Sequence, residues 1–383
     1  MRMESKYVKR RQRGLAVLCA ALVLLIGAVI YIGVHFFNHG ESDYSGSGNG
    51  TVKLVQVEEG SSLSELGPQL SKDGIVASND AFQSAAFNNP RASQIKPGFY
   101  RLQEEMSAEA AVNALLDEKN QVEVLNVQGG STLMDSKVVG GDVRYGIYTL
   151  ISQVTCAQGA DNCISAQSLQ DVAAQTDPVE LGVPEWAIEK VKGRGNDPRR
   201  LEGLIVPGQY VVDPSANAKE ILKDLIQRSA KEFEKTDIVN RAQVVNLSPY
   251  DLLTAASLIE REAPANDFDK VARVILNRLA VPQRLEFDST VNYDLPEQEV
   301  ATTDADRARL TPWNTYTMDG LPTTPIASVS VKAIEAMEKP AEGQWLYFVT
   351  VDKNGTTVFS NTFEEHLAAI QQSADNGVLD SNR

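Results

Sequence analysis

Cysteine and histidine are scarce, with three of each in 383 residues. Cys19 falls inside an apolar run, and His35 and His39 stand at its end, so Cys156, Cys163 and His366 are all that remain downstream. They share no metal-ligand spacing, which excludes a zinc site, and no motif asks for a cofactor. Cys156 and Cys163 are close in sequence and are candidates for a local disulfide in an oxidising compartment. Basic charge is also short after residue 13. The first 13 residues carry six basic side chains and one acid, leaving 30 basic against 50 acidic residues, a net of −20. Such a surface argues against nucleic acid or anionic lipid as a partner and leaves neutral glycans, or polymers with some cationic groups.

Long uncharged runs are missing too, except one. Residues 15–37 hold no formal charge and, as a helix, span roughly 34 Å, enough for a bilayer core. The basic cluster before it predicts a cytoplasmic tail, 1–14, and an extracytoplasmic remainder. The alternative is a cleaved signal peptide. The run is longer than an ordinary signal core and no A-x-A site follows, which favours a retained anchor. Residues 38–50, rich in Gly and Ser, read as a flexible linker of at most about 45 Å.

Beyond it the pattern is α+β. From Thr51 a strand, a turn at Gly60, a helix boxed by Ser62 and Glu65 and a stop at Gly74 are expected. A helix at 81–87, a strand at 96–102 and a helix capped by Ser107 follow. The strand–glycine–hydroxyl pattern of 55–63 recurs at 125–133, suggesting two copies of a strand–turn–helix unit. Residues 140–175, with both Cys, show little periodicity and read as an insertion. Further on, 284–295 read as an extended segment, 311–327 as a loop, and Ser328 as the cap of a helix to Met337. Asn354-Gly355 between two β-rich runs marks a hairpin.

The chain is organised around residues 248–263. Ser248 is a good N-cap, Pro249 suits the first helical position, and 252–259 are apolar or small around nearly the whole circumference. Such a helix is buried, yet it ends in Glu260 and Glu262. Desolvation would raise the pKa of an acid in that position toward the range of a general acid. Two residues turn a helix by roughly 200°, so the two Glu cannot share a face. Glu260 is the one expected to face a cleft, with Glu262 toward solvent or Arg261. Asp288, Asn314 and Tyr316 supply the polar and aromatic groups that a sugar-binding cleft uses.

ASLIEREA at 256–263, NRL at 277–279, DSTVNY at 288–293, WNTY at 313–316, GLP at 320–322, WLYFV at 345–349 and EEH at 364–366 come in an order that resembles the MltG (YceG-like) endolytic murein transglycosylases. The resemblance is strong over 201–369, weaker over 51–127 and absent over the Cys-containing segment. It implies a single transmembrane helix (15–37), a LysM-like small α/β domain (51–135), an insertion or linker with the Cys pair (136–200), and an α+β catalytic domain (201–375) with a helix-borne Glu and a C-terminal hairpin. It further implies cleavage of the MurNAc–GlcNAc β-1,4 bond of nascent strands with 1,6-anhydro ends. Glu260 then matches the catalytic Glu and Glu262 the second Glu of the motif, while Asp288, Asn314 and Tyr316 match cleft positions. Peptidoglycan strands, the synthases and the elongation or division machinery are the implied partners. The chain departs from the family pattern at Ser289, where Pro is usual, and at Gly208-Gln209, Thr323-Thr324 and Thr357-Val358-Phe359. A hydrolytic muramidase and a non-catalytic glycan-binding scaffold are the competing readings.

Overall fold

The computed structural model describes residues 25–28, 43–58, 60–157, 163–213, 216–299 and 302–378. The expected membrane helix at 15–37 therefore lies, but for four residues, outside the described residues. Among the described residues no helix is long and apolar enough to cross a membrane. The chain divides into two compact units after Val122.

The first unit is a three-stranded antiparallel sheet with helices packed on it. Strand β1 (Val52–Val57) is followed by helices α1 (Leu63–Lys72) and α2 (Asn79–Asn88), strand β2 (Gly98–Gln103), helix α3 (Ala108–Leu116) and strand β3 (Gln121–Val122). The sheet order is β1-β2-β3, with Val55 opposite Tyr100. Ser62 and Glu65 form the expected capping box, and Ser78 and Ser107 cap the next two helices. Helix α1 stops where Gly74 takes φ +72°, a left-handed conformation that costs glycine little. Val55, Leu70, Ile75, Phe82 and Val112 make the core.

The second unit opens with strand β4 (Val124–Val127) and continues through helices α4 (Ile147–Ala157), α5 (Ala166–Gln175) and α6 (Glu185–Gly193) to strand β5 (Gly208–Val211). Strands β4 and β5 pair antiparallel, Val127 opposite Gly208. Helices α7 (Ala218–Lys235), α8 (Ile238–Val244), α9 (Pro249–Glu262), α10 (Phe268–Ala280), α11 (Asp288–Asn292) and α12 (Val331–Glu338) follow, then the hairpin β6 (Tyr347–Thr350) and β7 (Thr357–Ser360) and helix α13 (Phe363–Asp375). Helix α9 is the centre: every residue from Leu252 to Ile259 is buried. It packs against α6, α8, α10, α11 and α12, so its apolar circumference meets protein on nearly every side.

Four local expectations change. The segment at 140–175 is not aperiodic loop but holds α4 and α5, which bury Ile147, Ile151, Leu169 and Ala173. Each helix is so short that its apolar stripe is only a few residues long. The extended reading of 284–295 fails over 288–292, where α11 forms, with Thr290 Oγ1 donating to Phe287 O and sharing a hydrogen bond with Thr315 Oγ1. A five-residue helix carries no period. Ser330, not Ser328, caps α12, while buried Ser328 donates to Ile205 O across 2.6 Å. The second copy of the strand–turn–helix unit ends at its turn: residues 131–135 are not helical, because the glycines at 129 and 130 pack against the end of α9 instead.

Candidate active site

Helix α9 starts as its sequence dictates, with Ser248 Oγ accepting from Asp251 N at 3.1 Å and Pro249 in the first turn. It ends because Pro264 disfavours helical backbone at Ala263, which is extended at φ −139°. Glu260, Arg261 and Glu262 therefore occupy the last turn, and the two carboxylates diverge.

Glu260 is half-buried and points at the start of α12. Its Oε2 accepts from Ser330 N at 3.0 Å and from Ser330 Oγ at 2.6 Å. An anion is stabilised there by the free N–H groups and dipole of a helix start. On its other side stands Gly129, where an added Cβ would lie 2.1 Å from Glu260 Oε1. Arg261 Nη1 donates to Gly130 O at 3.1 Å, so the same turn holds both residues.

Glu262 looks the other way. It is half-buried and its Oε1 accepts from Ser289 N at 3.3 Å, at the start of α11. Burial pushes its carboxyl above the usual range, the nearby Asp288 charge adds to this, and the Ser289 hydrogen bonds and Arg261 oppose it. Glu260, expected to face a cleft, thus lies against Ser330 and Gly129, and Glu262, expected toward solvent or Arg261, lies against the start of α11. It is Glu262 that shares a neighbourhood with Asp288.

Asp288 is fully engaged. Oδ1 accepts from Thr302 Oγ1 and Tyr316 Oη, each at 2.7 Å, and from Arg307 Nε at 3.2 Å, while Oδ2 accepts from Arg307 Nη2 at 3.1 Å. The Arg307 guanidinium also lies 5.0 Å over the Tyr316 ring. Burial and the Asp288 carboxylate push the Tyr316 phenol well up, so Tyr316 keeps its proton and donates it to Asp288. Asn314 is elsewhere in function: it is 1% exposed, donates to Arg307 O at 3.0 Å and Arg309 O at 2.6 Å, and accepts from Tyr316 N at 2.9 Å. Every amide atom is used inside the loop, so Asn314 shapes the loop that presents Tyr316 rather than lining a cleft. Trp313 is buried as well, donating to Thr324 Oγ1 at 2.8 Å.

Cys156 and Cys163 are joined in a disulfide that closes the α4–α5 connection. Neither residue touches the carboxylate cluster described above. Sequence reasoning missed Ser289, Thr302, Arg307, Ser330 and Gly129. Only Ser289 left a signal, as a departure inside a motif; the others act through contacts far apart in sequence.

The fold and these side chains define an α+β protein with a cluster of carboxylates at the end of a buried helix. The chain belongs to the YceG-like family, whose model matches residues 55–372. It is 26% identical over 353 residues to a Bacillus subtilis protein named endolytic murein transglycosylase, covering 91% of both chains. A Streptococcus pneumoniae protein of the same name is 26% identical over 334 residues, 82% of this chain and 56% of the relative. A crystal structure of a yceG-like protein from Listeria monocytogenes superposes with a TM-score of 0.52 at 25% identity, covering 83% of this chain and 98% of that one.

Proposed function

We propose that the chain is a peptidoglycan lytic transglycosylase that cuts the MurNAc–GlcNAc β-1,4 bond within glycan strands, with Glu262 as the single acid and base. One observation carries the assignment to Glu262. It lies beside Asp288 and accepts from Ser289 N, its burial favours the protonated form, and Asp288 itself is occupied by Arg307, Thr302 and Tyr316. As acid, Glu262 protonates the glycosidic oxygen while the C1–O bond breaks. As base, it then takes the proton of the MurNAc C6 hydroxyl as that oxygen bonds to C1, closing a 1,6-anhydro ring without consuming water. A hydrolase of the two-carboxylate kind needs a second free carboxylate as nucleophile or base. Asp288, with both oxygens bound, supports the lytic route. Tyr316 presents its ring to sugar, and Glu260 holds the last turn of α9 to Ser330.

The apolar stretch at 15–37, with its basic tail, supports a single-pass anchor with the catalytic unit outside the cytoplasm. The first compact unit, which holds residues 51–122 of the expected LysM-like stretch 51–135, acts in this reading as a glycan-positioning element, and the synthases of new strands are the partners. The test is mass spectrometry of glycan ends after the full chain in detergent acts on uncrosslinked peptidoglycan. Anhydro ends are expected from the wild type, a loss of about 10²- to 10⁴-fold in Glu262→Gln, and a loss below about tenfold in Glu260→Gln. The reverse order would return the acid to Glu260, and reducing ends would mean that water attacks.

A further inference from the structure

Glu202 is 1% exposed and has no part in the reaction described above. Its two oxygens each accept from Leu133 N at 3.2 Å, and Oε2 also accepts from Tyr293 Oη at 2.9 Å. Leu133 closes the turn at residues 128–133, and that turn is tied to the end of α9. Gly129 lies against Glu260 Oε1, Gly130 O accepts from Arg261, Gly130 N donates to Ser328 O at 3.0 Å, and Ser328 N returns to Ser131 O at 2.7 Å. An unbroken chain of contacts thus runs from Glu202 through the turn to the helix end that carries Glu262.

A cavity of about 280 Å³ lies beside Glu202, lined also by Thr132, Asp135, Arg199 and Tyr293. It gives a proton a route to a carboxyl that is otherwise enclosed. The charges and phenols that act on Glu202 are Arg199 and Arg261, Tyr148, Tyr250 and Tyr293. Burial pushes the carboxyl up to about 7, while the Leu133 amide, the Tyr293 hydroxyl and Arg199 pull against it. The net push is upward, so the enclosed arrangement around Glu202 binds its proton more tightly than a solvated carboxyl does, and by linkage protonation stabilises that arrangement.

We propose that Glu202 is a positioning residue for the transglycosylase reaction: as a neutral acid it holds the turn at 128–133 against the last turn of α9, and on ionisation it loosens that hold. The proposal rests on the function assigned above but is tested apart from it. Hydrogen–deuterium exchange of the full chain in detergent, read by mass spectrometry between pH 5.5 and 8.5 and corrected for intrinsic rates, reports on the peptide containing Leu133. Protection of that peptide in the wild type is expected to fall about tenfold or more as pH rises through neutrality. Glu202→Gln, a neutral isostere of the protonated acid, should keep the high protection at every pH. In parallel, kcat for anhydro-end formation should fall through the same range in the wild type, with KM unchanged, and Glu202→Gln should lack that part of the fall. Protection that is independent of pH in the wild type overturns the proposal, whether or not the variant folds. A pH step in exchange with no glycan cleavage upholds the hold of Glu202 on the turn and rejects only the assigned reaction.

Discussion

The backbone amide of Ser289 donates to the carboxylate of Glu262 across 3.3 Å. A hydrogen bond to an ionised carboxylate favours that ionised form, so this amide opposes the upward push of burial. Proline, usual at this position in the resembling motif, has no such N–H. Ser289→Pro is therefore expected to raise the Glu262 pKa further and move the basic limb of kcat against pH upward. Position 289 is in the first turn of α11, where proline is tolerated. An unchanged limb with a folded variant would show that the amide does not tune the acid.

Arg307 compensates the Asp288 charge beside Glu262. Arg307→Gln leaves Asp288 without its cation, and the uncompensated charge should raise the Glu262 pKa and loosen Tyr316, which Asp288 accepts from. The expected result is weaker glycan binding and a basic limb shifted upward. Fluorescence titration with glycan oligomers and a pH–rate profile check both, and an unaltered KM would contradict the binding part.

Gly129→Ala places a methyl 2.1 Å from Glu260 Oε1. The flexible carboxylate can move, but only by leaving Ser330 N and Oγ, charged hydrogen bonds worth about 1.5–3 kcal/mol each way of counting. Glu260→Gln weakens the same pair. Denaturant unfolding of both single variants and the double variant should show strong non-additivity; additive losses would mean the two residues do not act on one contact.

Asn314→Ala should destabilise by about 2–3 kcal/mol, since Arg307 O and Arg309 O lose a buried donor and Tyr316 N a buried acceptor. Thermal unfolding measures this. A shift confined to glycan affinity, with stability intact, would move Asn314 back into the cleft.

Glu202 ties stability to pH. Its folded pKa near 7 lies above the ordinary 4.5, so between these values the native state binds more protons than the unfolded one. Stability from this group is complete below about pH 4.5 and falls as pH rises toward 7, by about 3 kcal/mol in all. Urea unfolding at pH 5 and pH 8 should show this difference in the wild type and lose most of it in Glu202→Gln.

How much of this was legible depends on distance along the chain. Helix α9, its Ser248 cap, its burial and its end before Pro264 follow from adjacent residues, as do the Ser62–Glu65 box and the Asn354-Gly355 hairpin. The 200° divergence of Glu260 and Glu262 also follows from helix geometry alone. Which of the two turns toward Asp288 does not. That depends on how α9 is rotated against α11 and α12, and so on contacts such as Glu260 with Ser330, 70 residues away, and Glu262 with Ser289, 27 away. Asn314 shows the same limit: an asparagine beside a tyrosine reads as a sugar ligand until the carbonyls of Arg307 and Arg309 take its amide. The sequence by itself determined the buried helix, its acidic end and the α+β class, because propensity, capping and periodicity are local. Only the tertiary structure decided which carboxyl lies beside Asp288 and which is tied to Ser330, because desolvation and hydrogen-bond partners come from segments that the chain brings together by folding.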